Sequence, residues 1–493
     1  MSLTQPARTR IAPSPTGFMH IGTLRTVLYN YFLARQSGGQ FIVRIEDTDQ
    51  EREVAGAREA LLRTLNRLGL DYDEGLTLND DGTLGEKGSY GPYVQSQRLH
   101  IYRQYAQQLL DAGHAYYCFC SADRLTKMRE EQAALKLPPK YDRACLKISS
   151  EEARARVASG ESYVVRMHVP EGSCSFDDAI RGRIDFQNSE VDDQVLMKSD
   201  GFPTYHLAVV VDDHLMKITH VLRGEEWISS TPKQILLHQM LGMQMPVYAH
   251  LPLLLNPDKT KLSKRKGDVA AESFLEKGYL PEALMNFLAT LGWNPTDDRE
   301  IYSREELTQL FELGNVNRAG AVVNIEKLDW VNAQYIRAMS HEDYVSHALA
   351  EIKETKLPDD MAFVERVVWL LRERIQRFPE LRELVIAFFD PVDADPVIIP
   401  WKTQSTEEVR ERLEGVREWL EFVNDEVLET PAAIEVALKA LITSKGWKNG
   451  DTLWPTRVAL SGAKESPSPF ELIYAFGKKR SMERLAKAIK SLN

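Results

Sequence analysis

The period of the hydrophobic positions changes along the chain, and each change predicts an element. Arg10-Ile11-Ala12 ends an extended stretch that Pro13 and Pro15 cannot continue, and from His20 apolar residues recur at Ile21, Leu24, Leu28, Tyr31 and Phe32, one face of a helix. The spacing therefore predicts a strand, a turn and a helix whose unpaired N–H groups stabilise a phosphate. Gly22 lets a ligand approach the backbone closely. Phe41, Val43 and Ile45 then alternate with Arg44 and Glu46, which predicts a second strand with an acidic end. Ligands of open parallel α/β sheets bind beyond such strand ends. Glu51 to Leu68 and Gln97 to Ala112 read as helices, and the polar stretch from Asn79 to Gly91 as a surface loop.

Further on, a charged helix (Glu151 to Ser159) and short alternating strands (Tyr163 to Val169, Arg183 to Phe186) predict an α+β segment. The nearly continuous apolar run Leu207 to Val211 reads as a buried parallel strand. Val221 to Trp227 reads as another strand, leading into a helix that starts near Ser229, Ser230 and Thr231. Helices dominate from Phe274, including Pro281 to Leu291, and beyond Ser340 the chain reads as helical almost throughout, with Ala362 to Phe378 and a final basic helix, Lys478 to Lys490. The fold class expected is α/β: a split Rossmann-like nucleotide-binding domain with an α+β insertion, followed by an all-α C-terminal region.

At 493 residues the chain is too long for one core. Hydrophobic residues at 43% and charged residues at 27% exclude disordered and fibrous classes. The N-terminal stretch lacks the apolar core of a signal peptide, no run of transmembrane length appears, and four cysteines are too few for a disulfide framework. A cytoplasmic location without membrane contact is expected. The net charge of -11 argues against a global basic field for nucleic acid, so any RNA must be held by local basic surfaces. One such stretch is Lys259 to Gly267, with Lys261, Lys264 and Arg265. Cys118 and Cys120, followed by Cys145, form a zinc-type pattern that lacks a fourth soft ligand.

Arg10-Ile-Ala-Pro-Ser-Pro-Thr-Gly17, His20-Ile-Gly-Thr23 and Arg44-Ile-Glu-Asp-Thr-Asp49 together resemble the first signature of class I aminoacyl-tRNA synthetases, in the glutamate and glutamine branch. Lys261-Leu-Ser-Lys-Arg265 resembles the second, KMSKS. Thr23 stands where the general class has histidine, a departure usual in this branch. The resemblance spans essentially the whole chain. It implies residues 1–112 and 201–267 as the two halves of the catalytic domain, 113–200 as an inserted domain for the tRNA acceptor end, 268–340 as a connection domain and 341–493 as an anticodon-binding region.

It also implies activation of L-glutamate with ATP and Mg²⁺, then transfer to the 3′-terminal adenosine of tRNA(Glu), with tRNA(Gln) as a second partner to weigh and a monomer as the working form. His20, Thr23 and Lys264 are the implied catalytic residues. Ser14, Gly22, Lys261, Lys264 and Arg265 would bind ATP. Arg10, Ala12, Ser14, Glu46, Tyr205 and Arg223 would bind glutamate, the arginines taking carboxylates and Glu46 the ammonium. Cys118, Cys120, Tyr141 and Cys145 are the implied Zn²⁺ ligands: Lys147, which cannot ligate while protonated, stands where relatives have histidine, and Tyr141 with Cys145 resembles the truncated tRNA-modifying members, where tyrosine completes the site; the alternative is a set of unmetallated, partly buried thiols. The rivals are a glutamine-specific ligase, such a tRNA modifier and an inactive tRNA-binding scaffold. Arg223 speaks against the first, the 200 and more residues after Lys264 against the second, and the joint presence of His20, Glu46, Arg223 and Lys264 against the third.

Overall fold

The computed structural model describes residues 5–262, 269–295, 297–389 and 393–492. It divides into two units, Met1–Val331 and Asn332–Asn493. In chain order the first unit begins with β1 (Arg8–Ile11), α1 (Ile21–Gln36), β2 (Gln40–Val43), α2 (Ala57–Arg67), β3 (Glu74–Leu78), β4 (Leu84–Lys87) and α3 (Leu99–Asp111). There follow β5 (Ala115–Cys118), α4 (Ala122–Ala134), α5 (Ser150–Ala158), β6 (Val164–Met167), β7 (Ser173–Asp178), β8 (Gly182–Gln187) and β9 (Val195–Met197). Then come α6 (Tyr205–Leu215), β10 (His220–Gly224), α7 (Thr231–Met240) and β11 (Val247–Leu251).

β1, β2 and β3 pair in parallel, and β4 closes that edge antiparallel. β10, β11 and β7 are likewise parallel, with β8 antiparallel at the other edge. The two sheets meet at β1: Thr219 N–H donates to Arg8 O (2.9 Å) and Arg8 N–H to Thr219 Oγ1 (2.8 Å). The strand order therefore reverses between β1 and β10, and at such a switch point the loops diverge and leave a crevice. α1 is buried over more than its predicted stripe, because one side lies on the sheet and the other meets the helix Pro281–Thr290, where Tyr29 donates to Ala289 O. β5, β6 and β9 form a separate antiparallel sheet. The β7–β8 hairpin of the same region instead extends the main sheet beyond β11.

Three expectations are corrected. Leu207 to Val211 is not a strand but the middle of α6. All five residues are buried, so the side chains lack the polar stripe that would have revealed a helical period. Asn79 to Gly91 is exposed as expected but carries β4 in its middle. In the second unit, Val409, Leu413, Val416 and Leu420 bury one face of the helix Thr406–Phe422, whose start is closed by a Ser405/Glu408 capping box. The stretch predicted as one helix over Ala362 to Phe378 ends at Leu371. The final helix, Pro469–Ser491, is interrupted at Gly477, whose φ of 69° suits glycine.

α6 returns the chain to the first half of the sheet through adjacent acids. Asp212, fully buried, accepts from Arg98 Nε (2.8 Å), Tyr102 Oη (2.8 Å) and Gln95 Nε2 (2.9 Å). Removing one member of a buried ion pair strands its partner's charge and costs about 3 to 5 kcal/mol. Asp212→Ala is expected to lose that much in the unfolding transition of the first unit, measured in urea. A loss below about 1 kcal/mol, the scale of an exposed pair, would show that the network does not hold the halves together.

Candidate active site

The crevice at the switch point is a cavity of about 620 Å³. Arg10, Ala12, Ser14, His20, Gly22, Thr23, Glu46, Tyr205, Arg223 and Lys261 all line it, so residues as far apart in the chain as Arg10 and Lys261 share one cavity. Lys264 and Arg265 lie outside the described residues. The residues flanking them are placed at the same wall: Leu262 and Lys261 line it, and past the segment Ile21 N–H donates to Val269 O (2.9 Å).

Backbone pairing assembles the floor. The β1–β2 ladder continues through Arg44 N–H to Ile11 O and Glu46 N–H to Pro13 O (both 3.0 Å), which sets Glu46 beside Ala12 and Ser14. His20 caps α1, its Nδ1 accepting from Gly22 N–H at 3.0 Å. A neutral ring that accepts at Nδ1 carries its proton on Nε2, so His20 is set up as a donor at the helix start, where a phosphate is favoured.

The charges behind the floor are shared. Asp213 accepts from Arg10 Nε (3.1 Å) and Nη2 (3.2 Å), and its Oδ1 is 2.8 Å from Arg44 Nη2. Burial penalises the Asp213 charge, yet the two guanidinium groups hold its carboxyl below the usual range. Arg44 Nη2 also reaches Glu46 Oε1 at 3.2 Å. Burial nevertheless pushes the Glu46 carboxyl up to about 7, against the attraction of Arg44 and Arg10. Desolvation outweighs two cations that Asp213 already shares.

Arg223, at the end of β10, is buried without any such partner. Its Nε donates to His250 Nε2 (3.0 Å), Nη1 to Gln234 Oε1 (2.7 Å) and Nη2 to Thr231 Oγ1 (2.8 Å), all neutral acceptors. Among the described residues no carboxylate lies within ion-pair distance of it. Tyr205, whose buried phenol is pushed up and stays protonated, packs at 4.5 Å between ring centroids on Trp227, which also faces the guanidinium.

A second cluster lies in the β5–β6–β9 region. The Sγ atoms of Cys118, Cys120 and Cys145 all lie within 4.8 Å of one another. The Tyr141 hydroxyl is 3.4 Å from Cys118 Sγ and 3.3 Å from Cys120 Sγ. Three sulfurs and one oxygen thus converge at the spacing of a tetrahedral zinc site. Lys147 is exposed, and Cys174 is buried alone in β7.

Residues 6–330 match the family model for tRNA synthetases class I (E and Q), catalytic domain. The chain belongs to that family. Residues 338–489 match an anticodon binding domain. Among similar curated proteins, a glutamate–tRNA ligase from Clostridioides difficile is 43% identical over 97% of this chain and 98% of its own length. One from Chlorobium phaeobacteroides is 45% identical over 98% of each. A crystal structure of a glutamate tRNA ligase from Elizabethkingia meningosepticum, in complex with its amino acid, superposes with a TM-score of 0.87 at 33% identity, covering 99% of this chain and 100% of that one.

Sequence reasoning missed the synthetase residues that stand behind the site: Asp213, Arg44, Thr231, Gln234, Asp178 and His250. Two signals were available. Asp212-Asp213 closes an apolar run, and His250 interrupts another, Val247 to Leu255; buried polar residues of this kind are partnered.

Proposed function

We propose that this cavity binds L-glutamate and ATP and that the chain is a glutamate–tRNA ligase, joining glutamate to ATP and passing it to the 3′-terminal adenosine of tRNA. The observation that carries the glutamate assignment is the unneutralised Arg223 in the cavity wall. Asp213 and Glu46 at the floor are matched by Arg10 and Arg44, whereas Arg223 has only neutral hydrogen-bond partners. Glutamate carries one net negative charge and glutamine none.

In this reading Arg223 takes the side-chain carboxylate with the Tyr205 hydroxyl beside it, and Glu46 takes the ammonium. Arg10 keeps its Asp213 bonds and offers its remaining N–H groups to the α-carboxylate. ATP lies along the start of α1, with His20 Nε2–H, the Gly22 backbone and the hydroxyls of Ser14 and Thr23 on one side and Lys261, Lys264 and Arg265 on the other. The glutamate α-carboxylate attacks the α-phosphorus and diphosphate leaves. No covalent catalyst is required, and the protein's contribution is alignment and stabilisation of the developing negative charge. Mg²⁺ bound with the nucleotide would supply charge neutralisation on the leaving diphosphate.

Residues 113–200 are assigned to the acceptor end and 341–493 to the anticodon of tRNA(Glu), and a monomeric cytoplasmic enzyme fits this role. No helix of the described residues is long and apolar enough to cross a membrane. Cys118, Cys120, Cys145 and Tyr141 are assigned to a structural Zn²⁺ that ties β5 to the Tyr141–Cys145 turn.

Arg223→Ala is expected to lower kcat/KM for glutamate by roughly two to four orders of magnitude, from about 3 to 5 kcal/mol for a broken buried pair, while glutamine is little affected. The ratio of the two constants in a tRNA charging assay decides it. Equal losses for both amino acids would move Arg223 to the shared α-carboxylate.

Glu46 makes amino-acid affinity pH-dependent. Its raised pKa means that the carboxylate needed for the ammonium is fully present only above about pH 7, and affinity falls as the pH drops below it. Glutamate titrations between pH 6 and 8 are expected to show this slope in the wild type and lose it in Glu46→Gln. A slope that survives the substitution would assign it to another group.

Protein purified without chelator is expected to contain about one zinc per chain, with Zn–S distances of roughly 2.3 Å by X-ray absorption. Metal-free protein with unchanged thermal stability would remove the assignment.

A further inference from the structure

Arg223 is oriented by a relay that no part of the reaction scheme uses. We propose that His250, locked in one tautomer by Asp178, is the positioning residue that aims Arg223 at the amino-acid side chain without cancelling its charge. This rests on the role of Arg223 given above.

The relay follows from the sheet. β7 and β11 pair in parallel with Tyr248 opposite Asp178, which brings the Asp178 carboxylate to the backbone and ring of His250. Asp178 Oδ2 accepts from His250 N–H (3.1 Å) and lies 2.6 Å from His250 Nδ1, and its Oδ1 accepts from Ile180 N–H (3.0 Å) and Arg181 N–H (2.9 Å). Burial penalises the Asp178 charge, but these donors hold its carboxyl below the usual range, so it only accepts. The proton between the two groups therefore sits on Nδ1.

His250 is fully buried, and burial disfavours its charged form. A neutral ring protonated at Nδ1 has its lone pair on Nε2, and that atom is 3.0 Å from Arg223 Nε. The opposite tautomer would set N–H against N–H. With Nε fixed by His250, Nη2 by Thr231 and Nη1 by Gln234, three of the five guanidinium N–H groups are used and the plane cannot rotate. The Thr231 hydroxyl lies 2.9 Å from Trp227 O and 3.2 Å from His250 Nε2; with the Nε2 lone pair taken by Arg223 Nε–H, the hydroxyl donates to Trp227 O and accepts from Arg223 Nη2. The Tyr248 ring backs the guanidinium at 5.1 Å.

Interposing an imidazole has a consequence that a direct aspartate would not. A carboxylate bonded to Arg223 would orient it equally well but neutralise it, as Asp213 does for Arg10. The neutral ring transmits the orientation while Asp178 spends its hydrogen-bonding capacity on His250 and two backbone N–H groups. Arg223 thus stays directed and charged, the combination that separates a carboxylate from an amide.

The test uses the full chain with steady-state ATP–diphosphate exchange in the presence of tRNA, and three substitutions. His250→Asn keeps a donor near the Nδ1 position for Asp178 but has no acceptor at the Nε2 position. His250→Gln restores an acceptor there. Asp178→Asn can present its amide N–H to Nδ1, which drives the ring proton to Nε2 and against Arg223. His250→Asn and Asp178→Asn are expected to raise the KM for glutamate by about ten- to a hundredfold, as sub-ångström misplacement of a binding group does, with the KM for ATP nearly unchanged and the preference over glutamine reduced. His250→Gln is expected to recover most of the loss.

Equal rises in both KM values, or a His250→Gln variant no better than His250→Asn, would overturn the proposal and leave His250 as a core residue. Arg223→Ala run alongside separates the two claims. If it leaves the glutamate KM unchanged, the role of Arg223 itself fails; if it raises that KM while His250→Asn and Asp178→Asn do not, only the relay fails.

Discussion

The structure depends on two adjacent carboxylates, Asp212 and Asp213, at the end of α6. Successive residues on a helix point about 100° apart, so the pair faces two different parts of the protein. Asp212 turns to Gln95, Arg98 and Tyr102 at the start of α3, and Asp213 turns to Arg10 of β1 and Arg44 beyond β2. More than a hundred residues of chain separate the partners, so these bonds tie the second half of the nucleotide-binding fold to the first across everything inserted between them. Buried charges are tolerated because each carboxylate is bonded by several donors. The same bonds hold the floor of the crevice, so the fold and the site share one set of interactions.

That dual use explains what could be read in the chain and what could not. His20, Gly22, Glu46 and Lys261, which line the cavity, were legible because each stands in a short run of residues whose types and order carry the chemistry. That a ligand would lie beyond the ends of the strands holding those runs followed from the parallel pattern; where the strand order reverses did not. α6 was misread for a physical reason: Leu207, Ala208, Val209, Val210 and Val211 are all covered, so hydrophobicity has no period there, and a buried helix and a buried strand look alike. The arginine network was illegible because its pairs lie up to 203 residues apart, as Arg10 and Asp213 do. Arg10 could be picked out as a cation in the motif. That it is already bound to an aspartate could not.

The pairing of Arg10 changes what the two arginines of the site can do. A guanidinium bonded through two N–H groups of one edge to a carboxylate has lost much of its attraction for a second anion, whereas one held by an imidazole, an amide and a hydroxyl has lost only its freedom to turn. Arg10 and Arg223 are therefore unequal despite similar burial. The α-carboxylate and ammonium of an amino acid lie close together and nearly cancel, so they suit a floor where Arg10, Arg44, Asp213 and Glu46 balance. The side-chain carboxylate has no internal counter-charge, and Arg223 is the buried arginine of the cavity wall whose hydrogen-bond partners are all neutral. In the proposed binding mode it is this distribution of partners behind the cavity, more than the presence of two arginines in it, that orients the amino acid.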